Sequence, residues 1–165
     1  MVVTRQQAYV ALGILGAVII ALLLDRLIVT DRDRIVRVIR DMCGAAGKAD
    51  VDGLLAHLSQ DYYDETMTPP ELRKVAESFF ARHGPVRVTV RGTAMSLSGR
   101  IALAEVTLFA RAEDSDRGTL SGQSVWEMEF RKEADGAWRV TRIAPIQIER
   151  RGVSGWRSLL RGGWI

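Results

Sequence analysis

Hydrophobic and polar residues alternate most regularly in the stretch 124–148. On both sides of Asp135-Gly136, large apolar residues fall at every second position, which is the period of a strand that buries one face. Asp-Gly favours a tight turn because glycine accepts a positive φ at little cost. The stretch therefore predicts a long antiparallel hairpin whose apolar face needs further strands and a helical layer to cover it. Its apolar positions are Trp126, Met128, Phe130, Trp138, Val140 and Ile143.

Two more strands are predicted upstream. The stretch 86–97 alternates valine with arginine and threonine, and a turn at 98–100 leads into 101–111, whose apolar residues fall on both faces. Apolar residues on both faces are typical of a central strand. The polar stretch 113–121 predicts a loop before the closing hairpin. The strands place four arginines on their outward faces, where acidic partners could bind or water alone could solvate them: Arg87, Arg91, Arg111 and Arg131.

Before residue 86 the hydrophobic period is that of helices. A first helix is predicted from a cap at Thr30 or Asp31 to the glycines at 44 and 47, a second over 51–58, and a third over 71–82 after Thr68-Pro69-Pro70. The order is three helices followed by four long strands. The residues predicted to be buried on the third helix are Leu72, Val75, Ala76, Phe79 and Phe80.

The stretch 8–24 contains seventeen residues without a charge. A helix of that length spans roughly 25 Å and can cross a bilayer if Arg26 reaches the interface. A cleavable signal peptide is the competing interpretation, but the apolar stretch is long and continues into Asp25-Arg26 without a small-x-small cleavage pattern. A retained single-pass anchor is therefore predicted.

The distribution of arginines around this stretch predicts its orientation. One arginine precedes the stretch and five follow it within twenty residues, which favours a cytoplasmic C-terminal domain over a periplasmic one at a bacterial inner membrane. Gly13, Ala17 and Ala21 are four residues apart and share a helix face. Such a face lets a partner helix approach closely, although small residues are also common in membrane spans.

The net charge and the small numbers of cysteine and histidine exclude several classes of function. The chain has 165 residues, a formal charge of +3, one cysteine and two histidines. Beside the anchor there is room for one domain, and the charge is too small and scattered to favour nucleic-acid binding. A single cysteine excludes an internal disulfide, and two distant histidines are poor material for a metal site, so no metal and no cofactor are predicted.

The order of elements, the stretches 47–65 and 71–80, and the closing Trp126-to-Val140 hairpin together resemble the nuclear transport factor 2-like superfamily. The resemblance covers roughly residues 31–149. It implies an α+β fold, in which a curved antiparallel sheet of about four strands wraps three helices as an open cone with a mouth that can hold a small apolar molecule. It also implies the possibility of a homodimer through the sheet. It does not fix an activity, because the fold hosts isomerases, dehydratases, cyclases and non-catalytic subunits.

An enzyme of this kind would need a general acid or base inside the cone. The sequence offers six titratable candidates, but each has a simpler structural explanation, so no catalytic residue is assigned. If the cone binds a ligand, the predicted lining residues are His57, Tyr62, Tyr63 and Trp126. The six titratable candidates are His57, Asp61, Tyr62, Tyr63, Asp64 and His83.

The chain is thus divided into an anchor region over 1–29, a cone domain over 30–149 and a basic tail over 150–165. Apolar tail residues recur at i, i+3, i+4 and i+8 beside two arginines, which suits a membrane interface or a partner groove. The four glycines of the tail argue against a stable free helix, so an unstructured end is the alternative. The interfacial tail residues are Trp156, Arg157, Leu159, Leu160, Arg161 and Trp164.

These predictions are compatible with two functions. The first is a non-catalytic, single-pass accessory subunit whose partners are the lipid bilayer and other membrane protein subunits. The alternative is a membrane-tethered binding protein for a lipid-like small molecule, or an isomerase-like or dehydratase-like enzyme that uses the cone pocket.

The predicted anchor is directly testable. We expect the full chain to stay in the membrane pellet after an alkaline carbonate wash, because a spanning helix is not released by breaking electrostatic contacts. A variant lacking residues 8–24 should appear in the supernatant. Release of the full chain by the wash would contradict the anchor.

Overall fold

The computed structural model describes residues 30–64, 67–114, 118–148 and 151–152. Three helices precede a sheet built entirely of consecutive strands. The helices are α1 (Asp31–Ala46), α2 (Val51–Leu55) and α3 (Pro69–His83). The strands are β1 (Val86–Ser98), β2 (Ile101–Asp114), β3 (Gly118–Lys132), β4 (Trp138–Ile148) and the two-residue β5 (Arg151–Gly152).

The sheet is an antiparallel meander in the order β1-β2-β3-β4-β5. Strand β2 pairs with β3 along its whole length and with β1 from Ile101 to Ala112, so the prediction that it is central is confirmed. The predicted α+β architecture, with four long curved antiparallel strands and three helices, is confirmed as well.

The core lies between α1 and the inner face of the sheet. Ile35 and Ile39 of α1 are almost fully buried and belong to one cluster with Phe130 of β3 and Val140 of β4. Phe130 and Val140 are direct cross-strand partners, so the predicted hairpin contributes the centre of the core. Burying side chains of this size contributes roughly 1.5–3 kcal/mol each.

Strand β4 changes phase in the middle because of a β-bulge. Phe130 pairs with Val140 and Glu129 with Arg142, which leaves Thr141 as the extra residue. A bulge bends the strand and moves the following side chains to the other face. It therefore explains why the apolar pattern of the sequence passes from Val140 to Ile143 rather than to residue 142.

Two hairpin turns and the first turn of α1 lie together at one end of the domain, here called the near end. Lys132 Nζ donates to both carboxylate oxygens of Asp31, at 2.9 and 3.0 Å. The backbone of Lys132 is also bonded to Arg100, with N to O at 2.8 Å and Arg100 Nε to Lys132 O at 2.9 Å. The indole of Trp138, together with Lys132, lowers the pKa of Asp31. The start of α1 is thereby fixed to the sheet.

Helix starts follow the predicted caps. The Asp33 backbone N donates to Thr30 Oγ1 at 3.2 Å, and Thr30 N donates to the Asp33 carboxylate at 3.0 Å. The Glu71 carboxylate accepts from both Thr68 N and Thr68 Oγ1 at 2.7 Å. These bonds satisfy backbone groups that a helix cannot pair internally.

Four boundary and burial predictions are wrong. Residues 113–114 and 118–121 belong to β2 and β3 rather than to a loop, because ladder pairing overrides their polar composition. Helix α2 ends at Leu55 instead of residue 58, since the chain there turns to bond the edge of β4. Gly44 lies inside α1, which continues to Ala46. Phe79 and Phe80 are only half-buried, and Leu72 is the one fully buried residue described for α3.

None of the three described helices has both the length and the apolar character needed to cross a bilayer. The predicted anchor 8–24, with Gly13, Ala17 and Ala21, lies outside the described residues. The interfacial tail residues from Trp156 to Trp164 also lie outside them. Those predictions therefore stay predictions.

The core is tested by truncating its central side chain. We expect Phe130→Ala to lower the free energy of unfolding by about 3–5 kcal/mol, because a fully buried aromatic leaves a cavity. Leu120→Ala is the control: Leu120 is on the same strand but 37% exposed, so the expected loss is about 1 kcal/mol or less. Denaturant unfolding of the detergent-solubilised chain measures both, and equal losses would contradict this core.

Candidate functional site

The structure brings together two of the four predicted lining residues. Tyr62 is 5% exposed and belongs to the main core cluster, and Trp126, on the inner face of β3, packs against that cluster. Tyr63 is 68% exposed. His57 is half-buried at the sheet edge, where its backbone carbonyl accepts from Val140 N at 2.9 Å. The predicted lining set is therefore divided between the interior and the surface.

Tyr62 has the most unusual environment of the described titratable residues. Its hydroxyl is buried and makes no well-formed hydrogen bond to the protein. The Ile143 backbone and the Asp64 carboxylate are nonetheless close enough to influence its pKa, the first lowering it and the second raising it. Burial, and secondarily the negative charge of Asp64, raise the pKa of Tyr62 well above its ordinary value. A phenol in this state stays protonated near neutral pH, so it can donate a hydrogen bond but cannot serve as a base.

Asp61, another predicted candidate, is engaged in a polar network that ties the 57–63 segment to the closing hairpin. Arg131 Nη2 donates to Asp61 Oδ2 at 2.5 Å, and the Asp61 side chain is 76% exposed. Nearby, the buried Ser59 hydroxyl donates to Glu133 Oε1 at 2.7 Å. Arg139 bonds the other oxygen of Glu133 at 2.5 Å. Because Asp61 is paired with Arg131, its role is to hold this segment against the hairpin rather than to act as an acid or base.

The same network includes the turn dipeptide. Arg139 Nη2 donates to Asp135 Oδ2 at 2.7 Å, and this bond, with one from the Ala137 backbone, lowers the pKa of Asp135 to about 2. Gly136 adopts φ of 79°, the positive value that the predicted tight turn requires. The contact between Ser59 and Glu133 could not be predicted from sequence patterns, because the two residues are 74 positions apart.

The outer face of β1 and β2 carries a cluster of arginines. Arg87 and Arg111 are direct cross-strand partners, and both are exposed. Arg111 has one nearby carboxylate, Glu113 at 3.7 Å. The Arg91 guanidinium lies 5.4 Å from the centroid of the Phe109 ring, a cation–π contact. Like charges directly opposite each other destabilise an antiparallel pair, so this face is costly for the isolated domain.

A shallow cleft of about 210 Å³ lies between α1 and β1. It is bounded by Val36, Ile39 and Arg40 on one side and by residues 90–93 on the other. None of the predicted lining residues contributes to it. Among the described residues, no group of three or more His, Cys, Asp or Glu side chains is placed to hold a metal ion.

The raised pKa of Tyr62 predicts a loss of stability in alkali. The unfolded chain releases the phenolic proton above about pH 10 while the folded chain keeps it, so the free energy of unfolding should fall by up to about 1.4 kcal/mol per pH unit. Tyr62→Phe should flatten this dependence. Tyr63→Phe, which alters the exposed neighbour, should leave it unchanged; an unchanged slope in Tyr62→Phe would contradict the buried, protonated phenol.

Comparison with known proteins supports the fold. No family model and no curated protein matches the chain. Among solved structures, a proposed scytalone dehydratase from Novosphingobium aromaticivorans aligns with a TM-score of 0.62 at 12% identity, covering 76% of this chain and 90% of that one. A protein of unknown function with a cystatin-like fold from Nostoc punctiforme aligns with a TM-score of 0.58 at 17% identity, covering 70% and 91%.

A nuclear transport factor 2-like superfamily protein from Salmonella enterica serovar Typhimurium aligns with a TM-score of 0.52 at 21% identity, covering 66% of this chain and 84% of that one. Likenesses at such low identity concern the backbone arrangement and leave the activity open. The described part of the chain therefore has the cystatin-like α+β fold that nuclear transport factor 2-like proteins share.

Proposed function

We propose that the chain is a non-catalytic, single-pass accessory subunit of a bacterial inner-membrane complex, with its cone domain in the cytoplasm. The cone docks onto another subunit of the complex and stabilises it. The predicted anchor 8–24 holds the domain at the bilayer, and the tail residues from Trp156 to Trp164 add an interfacial contact.

The observation that carries this proposal is the opposition of two exposed arginines, only weakly compensated, on the outer face of the sheet. Arg87 and Arg111 lie opposite each other on exposed strands, where their repulsion costs stability. Arg111 has Glu113 at 3.7 Å, with side chains 58% and 72% exposed, so solvent weakens that pair. An acidic surface on a partner would relieve the repulsion and would form charge-assisted bonds with both guanidinium groups.

The arrangement of the titratable candidates also favours a docking role. Asp61 is paired with Arg131, Tyr63 faces solvent and His57 lies at the sheet edge. A general acid–base pair must lie within hydrogen-bond reach of one substrate position. In the described part of the chain, these three candidates lie in different surroundings, and the interacting pair Tyr62 and Asp64 is buried.

The second candidate function is binding or conversion of a lipid-like small molecule inside the cone. The buried Tyr62 hydroxyl favours it, since an interior donor that makes no well-formed hydrogen bond to the protein could bond a ligand oxygen. The fold supports it too, because the structural neighbours include a proposed scytalone dehydratase. Tyr62 and Trp126 would then contact the ligand.

A homodimer through the sheet would use the same outer face as the proposed partner. Stacking two copies with the same ends together would bring the Arg87–Arg111 pair of one protomer towards the same pair of the other. Repulsion between them makes an acidic partner the better match for this face.

Purification from native membranes in mild detergent tests the proposal. We expect the full chain to elute with an identified membrane subunit that has an acidic cytoplasmic surface. The double variant Arg87→Glu with Arg111→Glu should lose most of that subunit, because repulsion replaces attraction. The matched control is Lys74→Glu with Arg82→Glu, which changes the net charge equally at exposed positions of α3 and should retain the subunit.

Elution of the wild-type chain as a lone monomer would contradict the docking role. Equal loss of the subunit in both double variants would show that net charge, rather than the outer face, governs the association. Retention of the subunit by the Arg87/Arg111 variant would place the interface elsewhere and would also contradict the proposal.

A further inference from the structure

We propose that the turn between β1 and β2 rests on the bilayer, with Leu97, Ile101 and Leu103 in the interfacial layer and Arg100 against anionic lipid headgroups. This inference rests on the membrane anchoring in the proposed function and adds a second, separate contact. It assigns the near end of the domain to lipid and leaves the part of the outer face around Arg87 and Arg111 to the protein partner.

The first observation is the concentration of exposed aliphatic side chains at this turn. Leu97 is 41% exposed, Ile101 53% and Leu103 41%. They lie within seven consecutive residues of one hairpin. The other large hydrophobic residues exposed in the described part of the chain, Tyr63 and Leu120 among them, are dispersed along the sequence.

The second observation is that these side chains surround the turn. Leu97 pairs with the buried Ala102 and therefore belongs to the inner face, whereas Ile101 and Leu103 alternate with Ala102 on the outer face. A second sheet stacked on the outer face would cover Ile101 and Leu103 but not Leu97. A bilayer surface that meets the hairpin end-on would cover all three.

The third observation is the position of the turn beside the predicted anchor. Lys132 bonds Asp31 through its side chain at 2.9 Å and Arg100 through its backbone at 2.8 Å, so the turn adjoins the first turn of α1. Thr30 follows Leu24 by six residues, and six residues span at most roughly 20 Å. The near end must therefore lie close to the headgroups if 8–24 spans the bilayer.

Charge at the turn suits an anionic surface. Arg100 Nε donates to Lys132 O at 2.9 Å, which orients the side chain. Among the described residues, Arg100 has no ion pair with a carboxylate. Its remaining N–H groups can bond phosphate, and a basic residue near an anionic membrane is attracted to the headgroups.

Fluorescence of single labelled cysteines tests the lipid contact. The full chain, with Cys43→Ser and Ile101→Cys, is labelled with a nitrobenzoxadiazole fluorophore and reconstituted in vesicles of phosphatidylcholine and phosphatidylglycerol. We expect the emission to shift to the blue and to be lost when lipids carrying a doxyl group near the headgroup are included. The matched control is Cys43→Ser with Ser121→Cys, an exposed outer-face position at the opposite end of the sheet, where neither change is expected.

Flotation of the same vesicles distinguishes failure of the membrane anchor from failure of the lipid contact at the turn. If the chain floats but doxyl lipid quenches positions 101 and 121 alike or not at all, the lipid contact is wrong and the anchor stands. A blue shift at 101 without quenching would mean that protein covers the turn, which also overturns the contact. If the chain does not float, anchoring itself fails, and the inference fails with it.

The charge contribution is measured by adding Arg100→Glu to the Ile101→Cys chain. We expect this variant to lose part of the quenching in vesicles containing phosphatidylglycerol and to match its parent in phosphatidylcholine alone. Equal quenching of variant and parent in both kinds of vesicle would overturn the role of Arg100.

Discussion

The packing of α1 against the inner face of the sheet is the constraint on which the rest of the structure depends. Ile35 and Ile39 are buried against a cluster that includes Phe130 and Val140, and Lys132 fixes the beginning of the helix through Asp31. A long antiparallel sheet of this kind needs such a cover, because an exposed apolar face is unstable in water. The direction of α1 then determines where the chain enters the domain.

This placement gives the domain two surfaces with different chemistry. The near end carries aliphatic side chains and Arg100 beside the residue at which the described chain begins. The outer face, farther along β1 and β2, carries the opposed Arg87 and Arg111. Neither feature improves the stability of an isolated domain, since one exposes apolar surface and the other opposes like charges. Both become favourable if lipid covers the first and an acidic partner covers the second.

The sequence predicted the parts of the fold that depend on local periodicity. The hairpin around Asp135-Gly136, the cap at Thr30 and the central position of β2 all follow from patterns within one or two elements. The extension of β2 to residue 114 and the start of β3 at residue 118 did not, because cross-strand pairing stabilises polar residues that local composition assigns to a loop. The bulge at Thr141 was not predicted, because it depends on the pairing of β4 with β3.

The candidate sites were less predictable because they depend on contacts between distant residues. Tyr62 and Tyr63 are adjacent in sequence and equally plausible as lining residues, yet one is buried and the other faces solvent. The hydrogen bond between Ser59 and Glu133 depends on the three-dimensional fold. The opposition of Arg87 and Arg111 can be recognised only when the register of the sheet is known. Side-chain chemistry identified the tyrosines and the arginines but not Ser59 or Glu133, and only the topology assigned the neighbours of each.

The most direct measurement of this account is an electron cryomicroscopy structure of the assembled complex in a lipid nanodisc. We predict that the near end of the cone lies at the bilayer surface and that the outer face around Arg87 and Arg111 meets an acidic surface of another subunit. A cone that stands away from the bilayer, or whose outer face is stacked on a second copy of itself, would contradict it.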